Sequence, residues 1–164
     1  MGSKQVNESF PTFFFNLGSC PGDWIYLEGG CYKFSSGHAT WNRAKSACEN
    51  MGAKLAVVNS DAKQTAIQNQ LNGHTHWIGL YRDPKNSSNW LWVDQTQFCS
   101  GYWHQGEPND VRGNEDCVET RADKLWNDAT CWRYHRYVCE LTGWFISLLC
   151  IIMHKAASNT ELLV

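Results

Sequence analysis

The sequence predicts an α+β fold in which two helices flank small antiparallel sheets, with a long ligand-binding loop region in the second half and disulfides stapling the whole. Three observations lead there. Two segments of the first half carry apolar residues at three- and four-residue steps between helix caps and glycine stops. The second half alternates short β-prone runs with polar stretches, the longest lying between Val93 and Cys117. Cysteines stand at 20, 31, 48, 99, 117, 131, 139 and 150 with no Cys-x-x-Cys pair, which favours a disulfide framework made in an oxidising compartment over a zinc site.

The elements follow in order. Residues 23–26 and 31–34 form a hairpin around the turn Glu28-Gly29-Gly30, with Cys20 placed to close it. Thr40 caps a helix running to about Met51, in which Ala44, Ala47, Cys48 and Met51 share one face and which Gly52 stops. Residues 55–58 read as a short buried strand. A second helix starts at a Ser60 or Asp61 cap, turns Ala62, Ala66, Ile67 and Leu71 inward, and ends before Gly73. Short strands follow at 76–81, 90–93, 117–120, 125–128 and 137–140. The loop ahead of Cys117, with Gly101, Gly106, Pro108 and Gly113, is of the long kind that carries function.

At 164 residues the chain holds one core, expected over 20–141, between an N-terminal extension (1–19) and a C-terminal hydrophobic tail (142–164). With a net charge of -2 and scattered lysines and arginines, no positive field exists to hold nucleic acid. The cysteines imply secretion, yet residues 1–16 offer only the apolar patch Phe13-Phe14-Phe15, so a trimmed or incomplete start is expected. The apolar run 144–153 falls well short of the roughly 20 residues a membrane span needs, and reads as a buried or interfacial tail.

Glu107-Pro108-Asn109, Glu115-Asp116 and Trp126-Asn127-Asp128 offer side-chain oxygens from three segments, and hard oxygen donors select calcium. Carboxylates brought that close repel one another unless a divalent ion neutralises them. Each segment alone reads as an ordinary turn or solvent-facing loop. Their joint occurrence, with Cys117 and Cys131 bracketing the last, is what points to an ion. Calcium takes about six to eight oxygens, and hydroxyl groups can fill the positions that protein leaves open.

The ordered set Cys20, Cys31, Cys48, Trp77-Ile78-Gly79-Leu80, Glu107-Pro108-Asn109, Cys117, Trp126-Asn127-Asp128, Cys131 and Cys139 resembles the C-type lectin domain family. That resemblance implies a C-type lectin-like fold with disulfides Cys20–Cys31, Cys48–Cys139 and Cys117–Cys131. The second closes a loop of roughly ninety residues, worth about 4.5 kcal/mol on the chain-entropy model. The resemblance also implies that Glu107, Asn109, Glu115, Asn127 and Asp128 coordinate a sugar-binding calcium (Ca2+), together with the main-chain carbonyl of Asp128. The same five side chains would bind the sugar, the acids accepting hydrogen bonds from two adjacent hydroxyls and the amides donating.

Glu-Pro-Asn is the family's version for adjacent equatorial hydroxyls, as in mannose, glucose, N-acetylglucosamine and fucose. The galactose type reads Gln-Pro-Asp, which reverses donors and acceptors around the ion. Pro108 is implied to follow a cis peptide. An auxiliary calcium would use Asp83, an acid at position 87, Asp110, Glu115 and Asp116, but Ser87 stands where that acid should be. Contact with part of one sugar gives weak single-site binding, so a homo-oligomer is expected to supply multivalency.

Other residues decide less. Cys99 and Cys150 stand outside the six-cysteine framework and pair with each other, link two chains or stay free. His74 and His76 share a face but lack a third metal ligand, and read as surface histidines. Trp77, Trp92 and Trp126 read as core, while Trp103 and His104 are candidates to flank the ligand. Asn7 and Asn86 fit the glycosylation pattern. The expected function is a secreted, calcium-dependent lectin for mannose-type glycans in innate defence; a matrix- or mineral-associated structural protein of the same fold is the alternative. An enzyme is not expected. A glycosidase pair drawn from Glu107 or Glu115 with Asp128 needs one protonated carboxyl, and calcium ligation keeps all of them ionised.

Overall fold

The structure is a computed structural model that describes residues 20–141. The 1–19 extension with Asn7, the apolar run 144–153 and Cys150 lie outside the described residues. A hairpin opens the fold: β1 (Ile25–Leu27) and β2 (Gly30–Phe34) pair antiparallel around a turn in which Gly29 takes a positive φ of 80°, open to it for want of a Cβ.

Helix α1 (Trp41–Asn50) begins where the Thr40 hydroxyl accepts from Arg43 N at 3.5 Å. It buries Trp41, Ala44 and Cys48, whereas Met51, expected on that face, closes the helix end and is 39% exposed. The strand expected over 55–58 shrinks to β3 (Lys54–Leu55). Ala56, Val57 and Val58 are buried; Ala56 still bonds through its main chain to Val138 of the last strand and to Gly79, whereas Val57 N donates to the Glu140 carboxylate (2.9 Å) instead of to a neighbouring strand.

Helix α2 (Asp61–Gln68) takes Ser60 as its cap and turns Gln64, Ile67 and Gln68 inward, leaving Ala62 exposed. Polar side chains displace the expected alanine because buried groups need them. Gln64 accepts from the indole of Trp126 at 3.0 Å and donates to Lys124 O at 2.9 Å, and Gln68 donates to Thr120.

The remaining strands are β4 (His76–Arg82), β5 (Trp90–Trp92), β6 (Cys117–Thr120), β7 (Trp126–Ala129) and β8 (Arg136–Leu141). They join the hairpin in the order β1-β2-β8-β4-β6-β7, with β3 added to β8 and β5 to β4. Cys31 pairs with Leu141, so both ends of the described chain lie toward one edge of this sheet and β7 forms the other. The sheet is mixed rather than wholly antiparallel. His76 and Trp77 run parallel to Arg136 and Tyr137, a pairing that requires the long crossover made by the intervening loops and strands.

Two apolar clusters fill the interior, one around Trp77 and the Cys48–Cys139 disulfide, the other around Trp92 and Trp126. Trp77, Trp92 and Trp126 are all buried, as the sequence predicts. His76 is not a surface residue: it is 2% exposed and lies edge-on to Phe34, and burial pushes its pKa down to about 4. Glu140 is the polar counterpart within the core, accepting from Tyr32 (3.2 Å), Val57 N (2.9 Å) and Lys63 (2.8 Å). Burial first, then the charge of Glu140, push the Tyr32 hydroxyl up, so it remains a donor.

Candidate functional site

Strand β7 supplies Asn127 and Asp128, and its pairing with β6 sets Glu119 opposite Asn127 and Val118 opposite Asp128. The Cys117–Cys131 disulfide closes that hairpin at a Cα separation of 5.2 Å. Trp126 exchanges main-chain hydrogen bonds with the segment ahead of the loop, donating to Tyr102 O (2.7 Å) and accepting from His104 N (2.8 Å). Gly101 passes so close that a Cβ there would lie 2.5 Å from the Trp126 ring. The loop thus leaves β7 from a fixed base. It then turns through the cis Glu107–Pro108 peptide and a single 3₁₀ turn at Val111–Gly113.

Asp128 is fully buried and gathers the loop around itself. Its Oδ1 accepts from Asn109 N at 3.0 Å and its Oδ2 from Asp110 N at 2.9 Å and from Arg82 at 3.0 Å. Glu115 is also buried; its Oε2 accepts from Val111 N at 3.0 Å, and Arg133 approaches its Oε1 at 3.6 Å. Glu107 stands close to Asp128. Burial first, then the close approach of Asp128 and the charges of Asp128 and Glu115, hold the Glu107 carboxyl above the usual carboxylate range. Its Oε2 is buried and meets no donor.

Asn127 donates through Nδ2 to Glu119 Oε1 at 3.2 Å and to the main-chain oxygen of Asp128, which leaves its amide oxygen available to a cation. His135 stands beside Glu119, with Nε2 2.8 Å from Glu119 Oε2. Asn109 is exposed, with its main-chain amide on Asp128.

The loop and β7 therefore bring Glu107, Asn109, Glu115, Asn127 and Asp128 into one neighbourhood. Among the described residues, no three acidic, histidine or cysteine side chains already surround a common point tightly enough to hold an ion. The residues nevertheless suit calcium: the donors are oxygens, the carboxylates outnumber their cationic partners, and a buried carboxylate oxygen has no donor. Of the auxiliary set, Asp110 and Asp116 lie 3.8 Å and 3.2 Å from the Arg82 guanidinium, while Asp83 Oδ1 accepts from Lys85 N within its own turn.

Trp103 is partly buried and belongs to an aromatic cluster. Its ring packs against Trp90, Phe98 and Trp126 at centroid distances of 5.1, 6.2 and 5.9 Å. His104 turns to Gln105 O (3.0 Å) and lies 3.7 Å from Asp123. Sequence reasoning missed Arg82 and Glu119. The signal for Glu119 was a carboxylate inside a β-prone run opposite the Asn-Asp strand; for Arg82 it was a cation directly ahead of the candidate ligand Asp83.

The family profile described as "Lectin C-type domain" matches residues 37–141. CD209 antigen-like protein A of Mus musculus is 41% identical over 127 residues, a match that covers 74% of this chain and 52% of that protein. Hepatic lectin of Gallus gallus is 37% identical over 139 residues, covering 84% of this chain and 67% of its own. The chain thus spans about half the length of the mouse relative. Among solved structures, the cow C-type carbohydrate-recognition domain of CD23, crystallised in the presence of GlcNAc2Man3 oligosaccharide, superimposes with a TM-score of 0.70 at 35% identity, over 75% of this chain and 95% of that one.

Proposed function

The chain belongs to the C-type lectin domain family, a family of carbohydrate-binding lectins and not of enzymes, and on that premise we propose that it binds mannose-type glycans through one calcium ion held by Glu107, Asn109, Glu115, Asn127 and Asp128. The observation that carries the proposal is the partly buried Glu107 side chain, whose Oε2 is buried without a donor and which is set against Asp128 and Glu115. Such a concentration of negative charge is relieved by a divalent cation.

Calcium bound there supplies open coordination positions for two neighbouring sugar hydroxyls. The protein supplies direction. Glu107 and Glu115 accept hydrogen bonds from the hydroxyls, and Asn109, whose side chain is exposed, donates. Glu119 keeps the amide of Asn127 turned so that its oxygen faces the ion. The acid-before-amide order of Glu107-Pro108-Asn109 favours adjacent equatorial hydroxyls, and the cow CD23 domain obtained with a mannose-containing oligosaccharide is in keeping with that class.

We assign binding to the 20–141 unit. Three disulfides fit an exported, extracellular protein. Among the described residues no helix is long and apolar enough to cross a membrane. Presentation of several copies, as a homo-oligomer, would raise the avidity of weak single sites toward the glycan-coated surfaces met in innate defence. The test is chromatography on immobilised mannose: retention in calcium and release by a chelator are expected. Retention that ignores the chelator, or mineral adsorption unaffected by competing mannose, would refute this function.

A further inference from the structure

Arg82 ends β4 with its side chain 12% exposed and its guanidinium among the residues of the auxiliary cation set. One nitrogen, Nη2, lies 3.0 Å from Asp128 Oδ2, 3.0 Å from the main-chain oxygen of Glu115 and 3.8 Å from Asp110 Oδ1. Nη1 donates to Ser87 O at 3.0 Å, and Nε lies 3.2 Å from Asp116 Oδ1. The Trp90 ring covers the group from one side, 4.4 Å from its central carbon. Positions 87, 110, 115 and 116, which would share a second calcium, are thus joined through a side chain of the protein.

We propose that Arg82 is a built-in cation that takes the place of the auxiliary calcium, so that this domain binds one calcium per chain and has the ligands of that ion positioned before it arrives. The proposal rests on the function given above for Glu107, Asn109, Glu115, Asn127 and Asp128. Three features support it. A guanidinium stays charged at every physiological pH and aims its N–H groups at several oxygens at once, which suits a mixture of carboxylates and main-chain carbonyls. A divalent ion placed among Asp110, Glu115 and Asp116 would sit against this fixed positive charge. Ser87 also offers no carboxylate to such an ion, and its main-chain oxygen accepts from Arg82 instead.

Arg82 is therefore a positioning residue. It touches Asp128 through Oδ2, the oxygen that also accepts from Asp110 N, while Oδ1 accepts from Asn109 N, so Arg82 and the loop main chain together fix the orientation of this carboxylate.

Equilibrium dialysis of the full chain against calcium tests this directly. One ion per chain at saturation is the expected result. Two ions would overturn the role of Arg82 while leaving the sugar-binding site standing; none would overturn that site and, with it, the calcium role of Arg82. In Arg82→Ser the calcium dissociation constant, followed by tryptophan fluorescence without sugar, is expected to rise about tenfold or more, with partial recovery in Arg82→Lys. An unchanged constant in a folded Arg82→Ser would also overturn the proposal, and the wild-type stoichiometry decides should that variant fail to fold.

Discussion

Glu107 and Asn109 stand on either side of Pro108 with opposite hydrogen-bonding character, one able only to accept and the other able to donate. Exchanging them, in the double variant Glu107→Gln with Asn109→Asp, keeps the size and the oxygen ligands but inverts the pattern offered to sugar hydroxyls. Retention on mannose is expected to fall at least about tenfold, equivalent to roughly 1.4 kcal/mol, while retention on galactose appears; competition binding with both sugars checks it. These candidate ligands were legible in the sequence because each belongs to a short motif with its own chemistry. Arg82 and Glu119 were not, since a single charge at a strand end or within a strand reads as a solvated face until the pairing of β6 with β7 and the fold of the loop reveal what it touches.

Between α2, the irregular stretch 56–58 and β8 the tie is Glu140, 7% exposed and bonded to Lys63, Val57 N and Tyr32. Glu140→Ala strands Val57 N and the Tyr32 hydroxyl in the interior, deprives Lys63 of its counter-charge, and is expected to cost about 3 kcal/mol, read as a lower midpoint in urea unfolding with calcium absent. A second expectation concerns β4, where a Cβ on Gly79 would lie 2.8 Å from Leu55 O, against main chain that cannot yield easily. Gly79→Ala is therefore expected to destabilise by about 2 kcal/mol in the same assay, and a neutral result would show that β3 and β4 can separate freely. Helix α1 and its Thr40 cap followed from apolar spacing and a hydroxyl ahead of it. The inward face of α2 did not, because Gln64 is buried to serve the Trp126 indole, a requirement set some sixty positions away and invisible to local periodicity.

For the whole molecule, the acid response is set in part by His76. Its folded pKa, about 4, lies below the ordinary 6.5, so the native state holds the neutral ring while the unfolded chain takes up a proton first as pH falls. The stability contributed by the neutral ring is complete above pH 6.5 and is lost as pH drops toward 4; between pH 7 and pH 5 the loss from this residue is roughly 2 kcal/mol. Urea midpoints in chelator at those two pH values are expected to converge in His76→Phe, and an undiminished gap would remove His76 as the cause.

The three disulfides form as the family resemblance implies, whereas the parallel contact of β4 with β8 had no local signature. Cys31 faces Leu141 across the β2–β8 ladder, remote in the strand order from the one that carries Asp128. The Cys20–Cys31 bridge anchors the start of the described chain to β2 and the Cys48–Cys139 bridge anchors α1 to β8, so a pull applied at either described end first meets covalently pinned elements, separated in the strand order from β7.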